Sequence, residues 1–301
     1  MKIRIGLGLG TRSVTNDAGR FAALVDALEG LGFDSLWMSE RITGDCPDPL
    51  VGLAFAAGRT SKLKLGTSVQ VLPGRNPVLV AKEWATLDRL SGGRALPAFG
   101  LGVADPREQQ AFGVGRAERA KWFDEALPLI RRLWTEDVVD HDGERFRLAG
   151  VSVRPKPLQQ PPDVWLGGIA PSELRRVGRL GDGWLPSFCT PDDVARARPV
   201  IEATARDHGR AIDPEHWGAL VAYSHGPIPD TIAAALAARR ADLDDPSQVI
   251  AAGHDGLRAT IERFVEAGTS KFVAVPLAEP DGWEAELAAL ADANLDLQRP
   301  T

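Results

Sequence analysis

Ile3-Arg4-Ile5-Gly6-Leu7-Gly8-Leu9, followed by Phe21, Leu24, Val25, Leu28 and Leu31, is the stretch on which the fold turns. The first run alternates apolar residues as a strand does, and the second spaces them as a helix does until Gly30 and Gly32 stop it. The same unit then recurs. Strands are predicted at Asp34–Ser39, Leu63–Val71, Ala95–Leu101, Val164–Gly167, Gly183–Leu185, Trp217–Tyr223 and Lys271–Val275. Between them fall helical patterns over Pro49–Thr60, Pro77–Leu90, Glu118–Trp134 and Ser172–Leu180, and one opened by Thr190-Pro191-Asp192-Asp193, which joins an N-cap, a first-turn proline and a capping-box acid. Leu257, Ile261, Phe264 and Val265 form another helical face, and a last helix runs to about Leu297. Eight strands in series, nearly all followed by a helix, predict an α/β fold of the (β/α)8 type, with insertions, spanning 1–301 as one domain. Two segments break the rhythm: Val138–Leu148, read as a hairpin around Asp142-Gly143, and Ala149–Pro162, whose four prolines predict a loop at the barrel rim.

A chain of 301 residues, 44% hydrophobic and 25% charged, has the material for a large core and is not a disordered or fibrous composition. Its net charge of −6 comes without a dense Lys/Arg run, which disfavours a nucleic-acid partner and leaves a small-molecule substrate as the expected one. The N-terminus carries no signal-peptide pattern and no eighteen apolar residues run together, so the expectation is a cytoplasmic protein with no membrane partner. Cys46 and Cys189 are too few and too far apart for a disulfide framework or a zinc motif.

In a barrel of this type the chemistry sits in the loops after the strands, here around Gly10–Asn16, Glu40–Pro49, Ser68–Asn76, Gly102–Gln110, Gly167–Ser172 and Pro186–Thr190. Gly6, Gly8 and Gly10 invite a dinucleotide reading, but Thr11 stands where the third glycine belongs and the pattern lies inside a strand. Those glycines either leave room for a flat ligand or serve tight packing. Gly167-Gly168-Ile169-Ala170 leads from a buried strand into a helix, which makes either an anion cradle of free N–H groups or an ordinary turn. Glu40 and Asp105 are carboxylates at strand ends that could move a proton, and Arg41 could contact an anion or a carbonyl. No histidine falls in these loops, so neither a histidine-activated nucleophile nor a metal site is expected. The tryptophans are expected in the core, with Trp184 and Phe188 as possible exceptions near the rim.

Several segments taken together resemble one family. Phe33-Asp34-Ser35-Leu36-Trp37-Met38-Ser39-Glu40, Leu65-Gly66-Thr67-Ser68-Val69, Leu72-Pro73-Gly74-Arg75-Asn76-Pro77, and Ala85 through Arg94 are similar to the bacterial-luciferase-like superfamily of flavin and deazaflavin oxidoreductases. The likeness continues through Trp134-Thr135-Glu136, Val153 to Pro157, Gly167-Gly168 and Gly181 to Trp184. It implies a luciferase-like TIM barrel with insertions, a homodimer, and, in the branch that this chain most resembles, the deazaflavin coenzyme F420. It further implies a non-prolyl cis peptide at Ser68–Val69 behind the cofactor ring, cofactor contacts at Gly102, and a phosphate held by the backbone of Gly167, Gly168, Ile169 and Ala170. Glu40 and Asp105 would lie near the hydride-transferring edge. In the sugar-phosphate and alcohol dehydrogenases of that branch a histidine follows the strand-two acid, and here the position is Arg41. The resemblance therefore implies hydride transfer to or from another small organic substrate. Its alternatives are an FMN-dependent monooxygenase fed by a separate reductase, and a barrel that binds a flavin or deazaflavin without catalysis.

Overall fold

The computed structural model describes residues 1–11 and 15–298. Part of the Gly10–Asn16 loop therefore lies outside the described residues. Eight parallel staves form the barrel: β1 (Arg4–Leu9), β2 (Ser35–Met38), β3 (Lys64–Thr67, resumed at Gln70–Val71), β4 (Ala95–Leu96, resumed at Ala98–Gly100), β5 (Trp165–Leu166), β6 (Gly183–Trp184), β7 (Gly218–Ser224) and β8 (Lys271–Pro276). The ladder runs from a short parallel strand, Ile250–Ala252, through β7-β8-β1-β2-β3-β4 in one sheet and β3-β4-β5-β6 in the other, and the bridges Trp184 to Trp217 and Ser187 to Leu220 close the ring between β6 and β7. Each predicted strand is present. The two expected as single runs, β3 and β4, are interrupted, at Ser68–Val69 and at Pro97, whose missing N–H cannot continue a ladder.

Among the described residues ten helices surround the staves: α1 (Ala18–Leu31), α2 (Pro49–Arg59), α3 (Pro77–Ser91), α4 (Pro106–Phe112), α5 (Arg119–Thr135), α6 (Pro171–Leu180), α7 (Pro191–Asp207), α8 (Asp230–Arg239), α9 (Gly253–Glu266) and α10 (Trp283–Asn294). Their starts follow local chemistry. Asp17, Asp48, Asn76 and Thr190 each accept a first-turn N–H, and proline follows three of them at the helix's first position. The hairpin is real but longer than expected: Val139–Asp142 pairs with Arg147–Val151, so the turn occupies 143–146 and the irregular stretch begins after Val151.

The barrel interior is filled by side chains. Trp37 and Trp165 meet edge to face with ring centroids 6.3 Å apart, packed with Ala98, Leu185 and Val273. Beneath them Lys271 Nζ donates to Asp34 Oδ2 at 2.6 Å and lies over the Trp37 ring. Burying these five apolar side chains removes enough surface to contribute on the order of 10 kcal/mol. Gly8 is explained here: a Cβ on it would come within 2.8 Å of Val273 and 2.7 Å of Val275, so tight packing decides that position. Trp37, Trp84, Trp134, Trp184 and Trp217 are all fully buried, and Trp184, though in the core, reaches the rim by donating its Nε1–H to the Gly168 carbonyl at 2.9 Å.

Candidate active site

The strands' C-terminal ends open into a cavity of about 400 Å³, within the usual range for a small-molecule site. Strand alternation sends every second residue to the interior, so the cavity wall is assembled from the ends of several staves. Glu40, Ser39, Ser68, Val69, Val71, Gly102, Gly167, Gly168 and Phe188 all face it. The Ser68–Val69 peptide is cis, as the resemblance implies. Ser39 Oγ donates to the Ser68 carbonyl at 3.0 Å and lies 3.2 Å from Ser68 Oγ, which sets two hydroxyl groups side by side in an otherwise largely apolar wall.

Glu40 follows β2 and is buried. Its Oε2 accepts the Val71 N–H at 2.7 Å, and its Oε1 accepts a short hydrogen bond from Arg75. Burial pushes this carboxyl above the ordinary range, while the Arg75 guanidinium and the Val71 N–H pull it part of the way back. An acid held above its ordinary range accepts a proton more readily than a free carboxylate does.

Asp105 and Arg41 are brought together, but with each other. Arg41 donates to Asp105 Oδ2 at 3.0 Å, Asp105 caps α4 by accepting the Arg107 N–H at 2.9 Å, and neither residue lines the cavity. Hydrogen bonds from Arg107, with help from Arg41, hold the Asp105 carboxyl below its usual range. This is the chemistry of a helix cap and surface ion pair. The neighbouring Glu108 accepts from the backbone N–H of Ile42 and Thr43 and so ties α4 to the loop after β2.

At the start of α6, where the sequence allows an anion cradle or an ordinary turn, two of the N–H groups are already engaged within the chain. Ile169 and Ala170 both donate their N–H groups to Glu173 Oε2 at 3.0 Å. Gly168 stands at φ +96°, a left-handed conformation suited to glycine, and a Cβ on it would meet the Glu173 carboxylate at 2.4 Å. A phosphate arriving here must displace one carboxylate. Two cations face the same cavity: Arg176, one turn along α6, and Arg239, at the end of α8 and 5.3 Å above the Phe188 ring. A flat ring with an anionic tail fits this donor set: apolar wall for the ring, helix N-terminus and guanidinium groups for the tail.

Sequence reasoning missed Ser39, Arg75, Arg119, Glu173, Arg176 and Arg239. Arg119 Nη1 donates to the carbonyls of Leu101, Gly102 and Val103 at 3.1, 2.8 and 2.9 Å, holding the Gly102 segment against the cavity. Position after a strand was the available signal, and Ser39 and Arg75 carry it. Cys189 is buried and its thiol is pushed up to about 12, and burial also raises Cys46, so both are poor nucleophiles. No helix among the described residues is long and apolar enough to cross a membrane.

A family model for luciferase-like monooxygenases matches residues 1–293. The chain is similar to an F420-dependent glucose-6-phosphate dehydrogenase of Kineococcus radiotolerans, 32% identical over 208 residues, a match that spans 64% of this chain and 61% of the relative's length. A protein of the same name from Amycolatopsis mediterranei is 27% identical over 286 residues, with 81% and 84% of the two chains covered. Among solved structures, an F420-dependent secondary alcohol dehydrogenase bound to an F420–acetone adduct superposes with a TM-score of 0.80 at 21% identity over the whole of both chains, which establishes the shared fold. With a matching family model over nearly its full length and the barrel that this family builds, the chain belongs to the luciferase-like monooxygenase family.

Proposed function

We propose that this protein is an F420-dependent oxidoreductase that moves a hydride between the deazaflavin and a small organic substrate. The observation that carries the reading is the 400 Å³ cavity at the strand ends, with Glu40 buried in its wall and a helix N-terminus with two arginines at its edge. Relatives named as F420-dependent, at 27% and 32% identity, support the choice of cofactor.

Bound F420 supplies a ring carbon that donates or accepts hydride without reaction with oxygen. The chain does the rest. Val69, Gly102 and Phe188 shape the space for the ring, Gly167 and Gly168 open the entrance of α6 to the phosphate, and Arg176 and Arg239 supply positive charge to its tail. The Ser39 and Ser68 hydroxyls offer hydrogen bonds to a carbonyl or hydroxyl oxygen on the substrate. Glu40 gives a proton to the substrate on reduction and takes one back on oxidation, and Arg75 offsets part of the burial that favours its neutral form. Asp105 and Arg41 position the loop after β2 and hold α4 beside the cavity entrance. With Arg41 in place of an imidazole, the substrate is a carbonyl, imine or activated alkene in the reducing direction.

The test is an anaerobic assay in which reduced F420 is mixed with the protein and a panel of such acceptors. Reoxidation that depends on acceptor and enzyme supports the proposal. Oxygen consumption with reduced FMN, and no acceptor-dependent oxidation of F420, contradicts it in favour of a monooxygenase; tight binding of either cofactor with no turnover contradicts it in favour of a non-catalytic barrel. We also propose a homodimer, supported by Val51 and Phe55 on α2 and Leu79 and Leu90 on α3, large apolar side chains exposed on adjacent helices. Light scattering on the purified chain decides it.

A further inference from the structure

Away from the cavity, three residues far apart in sequence converge outside the barrel wall. His225 directly follows β7, His254 is the second residue of α9, and Glu286 lies in the first turns of α10. His254 Nε2 stands 2.8 Å from Glu286 Oε1, and His225 Nε2 lies 3.1 and 3.2 Å from the two carboxylate oxygens. The two imidazoles cross at 89° with centroids 4.5 Å apart, and the Nε2 atom of each faces Glu286 Oε1. All the candidate ligand atoms fall within 4.8 Å of one another.

The rest of the cluster orients this set. Tyr223 Oη donates to Glu286 Oε1 at 2.6 Å from inside the protein. The same oxygen therefore faces three polar groups: the phenol and both imidazole nitrogens. A carboxylate fixed by an outer hydrogen bond, beside two imidazoles, is the arrangement by which proteins pre-orient metal ligands. Glu286 and His254 side chains are 11% and 14% exposed, and His225 is 53% exposed, so the site is lined by protein on two sides and reached from solvent on the third.

We propose that His225, His254 and Glu286 bind one divalent transition-metal ion of the Zn²⁺, Co²⁺ or Ni²⁺ class. Two nitrogens and one carboxylate oxygen are the ligands such ions prefer over Mg²⁺ or Ca²⁺. At metal–ligand distances of about 2.0–2.1 Å, tetrahedral ligand atoms sit about 3.3–3.5 Å apart, so the observed contacts of 2.8–3.2 Å need to open by well under 1 Å, roughly the freedom of a side-chain rotation. Water completes the shell on the exposed side. The ion would tie the end of β7 to the starts of α9 and α10, and this assignment is independent of the cofactor bound in the barrel.

The experiment uses full-length, tag-free protein stripped with a chelator and dialysed. Co²⁺ is added while visible absorption is followed, and Zn²⁺ binding is measured by calorimetry. The expected result is one equivalent bound per chain at micromolar affinity, a Co²⁺ absorption band in the visible, and a rise in Tm with Zn²⁺. His225→Ala, at a half-exposed side chain whose loss leaves the fold intact, should weaken binding at least tenfold and remove the Co²⁺ band. No saturable binding to the wild-type chain at 100-fold excess metal would overturn the assignment. So would equal affinity in wild type and His225→Ala, which would place the metal at other histidines such as His141 beside Glu125.

Discussion

Arg75 and Glu40 form a short ion pair in the wall of the cavity, with the second carboxylate oxygen held by the Val71 N–H at 2.7 Å. The pair joins two loops, one after β2 and one after β3, and sets the charge of the only acid that the sequence reading named and the structure places on the cavity surface among the described residues. Glu40→Gln keeps the shape and one hydrogen bond but loses the base. Turnover should fall by about 10²-fold or more with little change in cofactor affinity. Equal kcat in the variant would remove Glu40 from proton transfer.

The pH profile separates a proton-carrying role for Glu40 from a merely structural one. Burial already holds its carboxyl above the ordinary range, against the pull of Arg75. In the reducing direction proposed above the reactive form is the protonated acid, so activity is lost as pH rises through the Glu40 pKa. Arg75→Met removes the counter-charge, and the basic limb of kcat should then move to higher pH. A limb that stays in place in Arg75→Met would show that another group controls it.

Glu173 occupies the N–H groups that a phosphate needs, through contacts of 3.0 Å from Ile169 and Ala170. Two anions compete for one helix N-terminus, where each is stabilised by roughly 0.3–1 kcal/mol. Glu173→Gln leaves the helix cap in place and removes the competing charge. Cofactor binding, read by fluorescence titration, should tighten by about three- to tenfold. Weaker binding in the variant would mean that the carboxylate itself serves the cofactor.

Arg119 holds three successive carbonyls of the Leu101–Val103 segment with one nitrogen. Arg119→Met frees that segment, including Gly102 on the cavity wall. The expected outcome is a loss of cofactor affinity of about tenfold together with faster backbone exchange at residues 101–103, visible by hydrogen exchange. Unchanged exchange would show that the loop is held by other contacts.

Far from the site, Glu29 gathers the N–H groups of Ser61, Lys62 and Leu63 at 2.8–3.0 Å and clasps α1 to the turn before β3. Slight burial acts to raise its pKa, but these hydrogen bonds win and lower it from 4.5 to about 2. A depressed carboxyl stabilises the fold above the unfolded value and loses that contribution as pH falls, here between 4.5 and about 2. Partly exposed, the clasp contributes about 1–2 kcal/mol. Glu29→Gln should therefore lower Tm by about 2–4 °C at pH 7 and by nothing near pH 2.

The barrel was legible in the sequence because each strand is short, apolar and closed by a turn signal, and because helix caps such as Asp48-Pro49 and Asn76-Pro77 mark the return path. Helices α4 and α8 were not read: Pro106–Phe112 is polar and short, and Asp230–Arg239 is an alanine-rich run that buries only Ile232 and Leu236, so neither carries strong periodicity. Of the site, the loops after β2, β3 and β5 were visible by position. Charge pairing was not, since nothing in the chain signals that Arg41 reaches Asp105, 64 residues on, or that Glu173 bends back to its own helix start. His225, His254 and Glu286 lie 29 and 32 residues apart and have no ligand spacing at all; the pairing of β7 with Ile250–Ala252, which sets Ser224 opposite Ala252, and the packing of α10 on α9 bring them together.

Titrating cofactor-free protein with F420 and, separately, with FMN, following cofactor fluorescence at low micromolar concentration, tests the proposed chemistry most directly. Saturable F420 binding, with FMN at least tenfold weaker, is the expected result. Tighter binding of FMN, or no binding of either, would contradict deazaflavin-dependent hydride transfer as the work of this cavity.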